Sequence, residues 1–167
     1  ESKMYSPSAI LLELDRRVAQ TLKQEKERLE NVQDGMDLTV LKVNKKANEV
    51  LFSSAKRPMI FIRNKEMQEY KGSKHSIGGM RTGTKSFEEF VLKIQEDDQI
   101  YFYSDGFTDQ FGGAKGKKYS SKRFREFVLS IHLQSMQVQN KKMEQEFESW
   151  KGMHEQVDDV CVVGIRF

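Results

Sequence analysis

The first apolar pattern along the chain predicts an amphipathic helix. Ser6-Pro7 is typical of a helix start, with Ser6 as the N-cap and proline at the first helical position. Apolar residues then recur at helical spacing between charged ones, so we expect a helix from about Pro7 to about Glu30. Its apolar stripe predicts a packing face, formed by Leu11, Leu14, Val18, Leu22 and Leu29.

Shorter alternating segments predict hairpins in the middle of the chain. The expected strand pairs are 38–43 with 50–52, and 59–62 with 67–70. Four glycines between 72 and 85 predict a loop, and a further strand is expected over 87–94. The apolar run Ile100–Tyr103 is typical of a central strand that is buried on both faces.

The last third of the chain predicts two helices and a closing strand. The helices are expected over about 121–132 and 136–150, after a glycine-rich loop at 112–116, and the strand covers 160–167. Hairpins followed by helices, without βαβ alternation, predict a layered α+β fold. We expect one domain over residues 1–167.

Composition narrows the class of protein. Hydrophobic residues make up 37% and charged residues 32%, which is typical of a soluble globular domain, and no apolar run reaches the roughly 20 residues of a membrane helix. The net charge of +3 is spread along the chain, which argues against nucleic acid as a partner. The single cysteine, Cys161, excludes an internal disulfide and favours a cytoplasmic location.

Two acidic segments are placed at the ends of predicted strands. Asp105 and Gly106 follow the strand Ile100–Tyr103, and Asp158-Asp159 precede the last strand. If these strands are antiparallel neighbours, the carboxylates converge at one sheet edge, where Mg²⁺ or Mn²⁺ would relieve their repulsion. The alternative is that Asp-Gly is a plain turn and Asp-Asp a solvated strand entry.

A resemblance to a known family favours the metal site. Residues 104–109, followed by Gln110-Phe111-Gly112-Gly113, resemble the Ser/Thr-Asp-Gly motif of SpoIIE-like phosphatases, which belong to the PPM (protein phosphatase 2C) superfamily. Residues 156–163 resemble the closing motif of that family. Segments 34–37, 55–58 and 75–78 also resemble family segments in order and spacing, so the resemblance covers nearly the whole chain.

The resemblance implies a fold, a reaction and a set of site residues. The family fold is an antiparallel β-sandwich flanked by helices, with two Mn²⁺ or Mg²⁺ ions at one edge that activate a water for attack on phosphorus. Asp105 and Asp158 would be metal ligands. The residues expected close to the site without binding metal are Gly106, Asp159, Asp34 and Asp37, although a helix-to-strand turn explains the last two as well.

The implied activity is dephosphorylation of phosphoserine or phosphothreonine on a bacterial signalling protein of the anti-anti-sigma-factor type. The family's first motif, Asp-x-x-Gly-His-Gly, does not occur in this sequence. The domain is therefore expected to be N-terminally truncated and nearly inactive by itself, and uncovered sheet edges would favour a homodimer. The alternative is a pseudophosphatase that only binds the partner. Cys161, where the family often has Thr or Ser, is expected to be a packing residue inside the last strand.

Overall fold

The computed structural model describes residues 6–26, 35–79 and 85–167, apart from the side chains of 22–26. The helices are α1 (Pro7–Lys26), α2 (Asp105–Asp109), α3 (Ser121–Ile131) and α4 (Met136–Lys151). The strands are β1 (Gly35–Met36), β2 (Leu38–Asn44), β3 (Glu49–Ala55), β4 (Met59–Arg63), β5 (Glu66–Tyr70), β6 (Ile77–Gly78), β7 (Glu89–Lys93), β8 (Gln99–Tyr103), β9 (Phe111–Gly112), β10 (Lys117–Lys118) and β11 (Val162–Arg166). They form two compact units, one of Glu1–Pro58 with Lys71–Gln95 and one of Met59–Tyr70 with Glu96–Phe167.

The first unit is a small antiparallel sheet that packs against α1. Its strand order is β2-β3-β7, and the short strands β1 and β6 pair separately. The apolar stripe of α1 packs on this unit because Leu11 is fully buried in a cluster with Ala55, Ile77 and Phe87. Strand β6 lies within the segment 72–85, which the sequence pattern predicted to be a loop.

The second unit contains a four-stranded antiparallel sheet in the order β11-β8-β4-β5. Strand β8 lies between β4 and β11, and Ile100, Tyr101 and Tyr103 are buried there, as the apolar run predicted. Helices α3 and α4 contribute Phe124, Val128, Ile131, Met143 and Phe147 to the same core. This core supports the end of β8, where the candidate chemistry lies.

Helices α3 and α4 begin and end close to the predicted positions, α1 begins at Pro7 as predicted, and the strand pairs are as expected, whereas the short helix α2 was not predicted. Residues 27–30, the predicted end of the first helix, lie outside the described part of the chain. The last strand begins at Val162, not at residue 160, so Asp158 lies in the loop before it. No helix in the described ranges combines the length and apolar character needed to cross a bilayer. One domain over 1–167 stays a prediction.

Candidate functional site

The pairing of β8 with β11 brings the two acidic segments to one edge of the sheet. The strands are antiparallel, and Tyr103 at the end of β8 lies opposite Val162 at the start of β11. The residues that follow β8 and those that precede β11 are therefore neighbours. The predicted site made of Asp105 and Asp158 depends on this arrangement of strands.

Ser104 joins the two segments through three hydrogen bonds. Its Oγ donates to the Asp159 carbonyl at 3.0 Å and accepts the Cys161 N–H at 2.9 Å. Its own backbone N–H donates to the Cys161 carbonyl at 2.9 Å. The backbone of Ser104 thus extends the β8–β11 ladder by one hydrogen bond. Its side chain holds the backbone of Asp159 beside the start of α2.

Gly106 permits a still closer approach of the two segments. A Cβ placed on Gly106 would lie 2.3 Å from the Asp159 carbonyl oxygen and 3.3 Å from that of Asp158. Real Cβ contacts are essentially never shorter than 3.0 Å, so no other residue fits without a shift of backbone. The requirement is for space, since Gly106 lies within the helix α2.

Helix α2 exposes Asp105 on one side and packs against the protein core on the other. Asp105 begins the helix and is exposed, and the Thr108 hydroxyl donates to the Asp105 carbonyl at 3.2 Å. Phe107 is buried and packs edge-on against Tyr119 and Phe124, with ring centroids 5.1 and 5.0 Å away. The aromatic contacts therefore fix the position of Asp105 from behind.

The aromatic layer behind α2 is strongly desolvated. Burial, followed by its hydrogen bond to Glu146 at 2.9 Å, raises the pKa of the Tyr119 hydroxyl well above its ordinary value. Arg123 lies 4.2 Å from the centroid of the Trp150 ring and 3.1 Å from the Glu146 carboxylate. Tyr119 consequently remains a neutral packing group at physiological pH.

Gln110 holds the loop that leads to Asp158. It is fully buried at the end of α2, and its Nε2 donates to the Glu155 carbonyl at 2.8 Å. Its Oε1 accepts the Val157 N–H at 3.3 Å. Both ends of this amide are thus used to fasten the residues just before Asp158. The sequence contained Gln110 only as part of a motif, and its buried role depends on partners more than 40 positions away.

The side chains exposed at this edge offer carboxylate oxygens, which are hard ligand atoms for a metal ion. Asp105 and Asp158 are both solvent-accessible, and the Asp158 carboxylate accepts the backbone N–H of Asp159 at 2.7 Å. Mg²⁺, and by similar chemistry Mn²⁺, is commonly held by one or two carboxylates and several waters, so these residues fit such an ion. Within the described ranges, no three His, Cys, Asp or Glu side chains form a group able to hold a metal.

The structure does not place the other predicted site residues, Asp34 and Asp37, beside Asp105 and Asp158. Asp37 belongs to the first unit, where its carboxylate accepts the Ser76 hydroxyl at 2.5 Å and pairs with Arg57 at 3.6 Å. Asp34 lies outside the described residues. The expectation for Cys161 is wrong, because the thiol is exposed and the residue precedes β11 instead of packing within it.

Similarity to known proteins agrees with this geometry. The family described as Stage II sporulation protein E (SpoIIE) matches residues 2–167. The SiaA-PP2C domain of Pseudomonas aeruginosa is 26% identical with a TM-score of 0.83, over 97% of this chain and 61% of that one. The phosphatase domain of SpoIIE from Bacillus subtilis, presoaked with Mn, is 13% identical with a TM-score of 0.58, over 99% and 76%. The PPM Ser-Thr phosphatase MsPP from Mycobacterium smegmatis, in complex with cacodylate, is 13% identical with a TM-score of 0.60, over 93% and 70%.

These similarities confirm the predicted fold class, an α+β fold with antiparallel sheets of the protein phosphatase 2C type. No curated protein matches the chain. The chain spans 61% of the length of the Pseudomonas aeruginosa domain to which it is similar.

Proposed function

The chain belongs to the SpoIIE family of protein phosphatase 2C-like domains, and we propose that it serves the metal-dependent hydrolysis of phosphoserine or phosphothreonine on a regulatory partner protein. Asp105 and Asp158 are the proposed metal ligands, with Mn²⁺ or Mg²⁺ as the ion. A bound ion of this kind lowers the pKa of its water and neutralises charge on the phosphoryl group. The partner is proposed to be of the anti-anti-sigma-factor type, encountered in the cytoplasm.

One observation carries the proposal: β8 and β11 bring the acidic segments 104–106 and 158–159 into contact through their backbones. Ser104 and Gln110 then hold those segments from either side of α2. Preorganised ligands bind an ion more tightly than mobile ones, because fewer side chains and loops must be ordered when the ion arrives. The role of these two residues is therefore positioning, and the role of the carboxylates is binding.

A metal titration tests the ligand assignment. Mn²⁺ binding to the 167-residue chain is measured by calorimetry and by the loss of the free-ion electron paramagnetic resonance signal. Asp105→Asn and Asp158→Asn should each lower affinity on the order of tenfold, because losing one charge-assisted contact costs about 1.4 kcal/mol or more.

Asp109→Asn is the matched control for this titration. Asp109 is on the same short helix, and its carboxylate pairs with Lys118 at 3.0 Å. Its removal should leave Mn²⁺ affinity unchanged. Equal affinities for the wild type and for the variants of Asp105 and Asp158 would refute the assignment.

A non-catalytic, partner-binding module is the second candidate. It is favoured because, within the described ranges, no three His, Cys, Asp or Glu side chains form a group able to hold a metal. For the same reason we expect little turnover from this chain alone. We further propose that edge strands of its sheets pair between two copies in a homodimer. Phosphate release from a phosphoserine peptide with Mn²⁺ decides between the two: turnover that is lost in Asp105→Asn supports the enzyme, and peptide binding without turnover supports the module.

A further inference from the structure

A polar pocket lies in the first unit, and half of the residues that line it are Lys, Arg or His. It has a volume of about 510 Å³. Four cationic side chains line it, together with one carboxylate, that of Asp37; the cations are Lys56, Arg57, Lys74 and Lys85. The sequence motifs around Ala55–Pro58 and His75–Gly78 contribute to this pocket, and the proposed metal chemistry does not use them.

Two of the four cations are neutralised by carboxylates. Lys85 pairs with Asp15 at 2.8 Å, and Arg57 lies 3.6 Å from Asp37. Lys56 and Lys74 are exposed, and no ion pair to either is found within the described ranges. The pocket therefore carries an excess of about two positive charges, which matches the −1.5 to −2 charge of a phosphate monoester near neutral pH.

One wall of the pocket is held together by the buried side chain of Lys85. The Lys85 side chain is only 7% exposed, and its ammonium donates to Asp15, to the Ser76 carbonyl at 2.8 Å and to the Gly78 carbonyl. This buried lysine joins α1 to the residues of β6. An ordered frame lowers the entropy cost of binding a small anion.

Lys56 is held in a backbone conformation that disfavours lysine. Its φ is +61°, in the left-handed region where Gly or Asn is preferred. The turn is fixed from both sides, since the Lys56 N–H donates to the Ser73 carbonyl at 2.8 Å and a Cβ on Gly72 would lie 2.8 Å from the Arg57 carbonyl oxygen. These contacts hold the backbone of Lys56 at the edge of the pocket.

We propose that this pocket binds a phosphoryl oxyanion, with Lys56 and Lys74 as its principal cationic contacts. The ligand is either the phosphorylated side chain of a partner protein or free inorganic phosphate, which share this chemistry. The first source deepens the proposed phosphatase function and rests on it, whereas binding of the anion itself does not need the metal ligands.

Calorimetry in the presence of EDTA tests the proposal without any contribution from metal. The probes are inorganic phosphate, a phosphoserine peptide and the same peptide without phosphate. Lys56→Asn removes the charge but suits the left-handed backbone, so the variant should fold at least as stably as the wild type. It should weaken phosphate binding by about fivefold, the equivalent of about 1 kcal/mol for one exposed ion contact.

Lys65→Asn is the matched control. Lys65 is also an exposed lysine with a positive φ of 67°, but it lies in the β4–β5 turn of the second unit. Its substitution should not change phosphate affinity. Asp105→Asn should likewise leave it unchanged in EDTA, while it weakens Mn²⁺ binding, so the two proposals can fail separately.

Each outcome of the experiment is informative. Tighter binding of the phosphoserine peptide than of inorganic phosphate, weakened about fivefold in Lys56→Asn, supports a partner's phosphoryl group as ligand. Binding of inorganic phosphate that is as tight as that of the phosphoserine peptide, and is weakened equally in that variant, supports the free anion. Binding that is absent for every probe, or equal in wild type and Lys56→Asn, overturns the proposal.

Discussion

Gly106→Ala is the sharpest test of the close approach between α2 and the loop before β11. Two effects of this substitution oppose each other. Gly106 lies in a helix, where alanine is favoured over glycine by about 1 kcal/mol. The added Cβ, however, would stand 2.3 Å from the Asp159 carbonyl oxygen, which is a backbone atom and not a mobile side chain. Overpacking of this kind typically costs about 1–3 kcal/mol.

The clash should win, because the loop cannot retreat freely. Asp159 is tied by its carbonyl to the Ser104 hydroxyl at 3.0 Å, and the preceding loop is fastened to buried Gln110. Because the contacted atom is fixed backbone, the clash should cost about 2–3 kcal/mol, the upper part of the usual range. Subtracting the helical preference for alanine of about 1 kcal/mol leaves a net loss of about 1–2 kcal/mol, which corresponds to a decrease in melting temperature of about 2–8 °C for a chain of this size. Displacement of the loop should also weaken Mn²⁺ binding, since Asp158 moves with it.

Thermal denaturation and the Mn²⁺ titration measure the two effects. Gly164→Ala on β11 is the matched control, because its Cβ would meet only side-chain atoms: the flexible end of Met136 at 2.7 Å, which can move aside, and the Tyr101 ring at 3.1 and 3.3 Å, which must give by only a few tenths of an ångström. That variant should lose less stability and keep its affinity for Mn²⁺. If Gly106→Ala is as stable as the wild type and binds Mn²⁺ equally well, the close contact and its role are refuted.

Two further outcomes follow from buried polar groups of the second unit. Gln110→Leu should lower the free energy of unfolding by about 1–2 kcal/mol in urea titrations, because it removes the hydrogen bonds to the Glu155 carbonyl and the Val157 N–H; an unchanged midpoint contradicts this. Burial raises the pKa of Tyr101 to about 12, so the folded state keeps a proton that the unfolded state loses near pH 10. The resulting stability is fully present below pH 10 and is lost as the pH rises toward 12, and phenolate absorbance should rise together with unfolding; titration of Tyr101 in the folded protein at pH 10 would contradict it.

Asp98 shows where the sequence pattern was insufficient. Three consecutive acidic residues, Glu96-Asp97-Asp98, are by composition typical of an exposed turn. In the structure Asp98 is 1% exposed, and its carboxylate forms two hydrogen bonds with Arg63, at 2.9 and 2.6 Å. The partner lies 35 positions away, on the neighbouring strand β4, so no local pattern could identify it.

Helix α2 and Cys161 show the same limit at the candidate site. Asp105-Gly106 predicts a turn by its composition, but the buried ring of Phe107 and the adjacent loop stabilise one helical turn instead. Cys161 has the apolar neighbours of a strand interior, yet it lies at an exposed position before β11. In both cases burial depends on which distant segment covers the residue.

Hydrophobic periodicity and strand-end motifs are local properties, so the three longer helices, the hairpins and the acidic residues at the ends of two strands could be predicted from the sequence. That β8 and β11 are neighbours, that Ser104 and Gln110 hold the loop before Asp158, and that Lys56 and Lys74 line one pocket became visible only in the folded chain. The physical reason is that hydrogen bonds, close contacts and charge balance depend on distances in space, which a pattern along the chain does not contain.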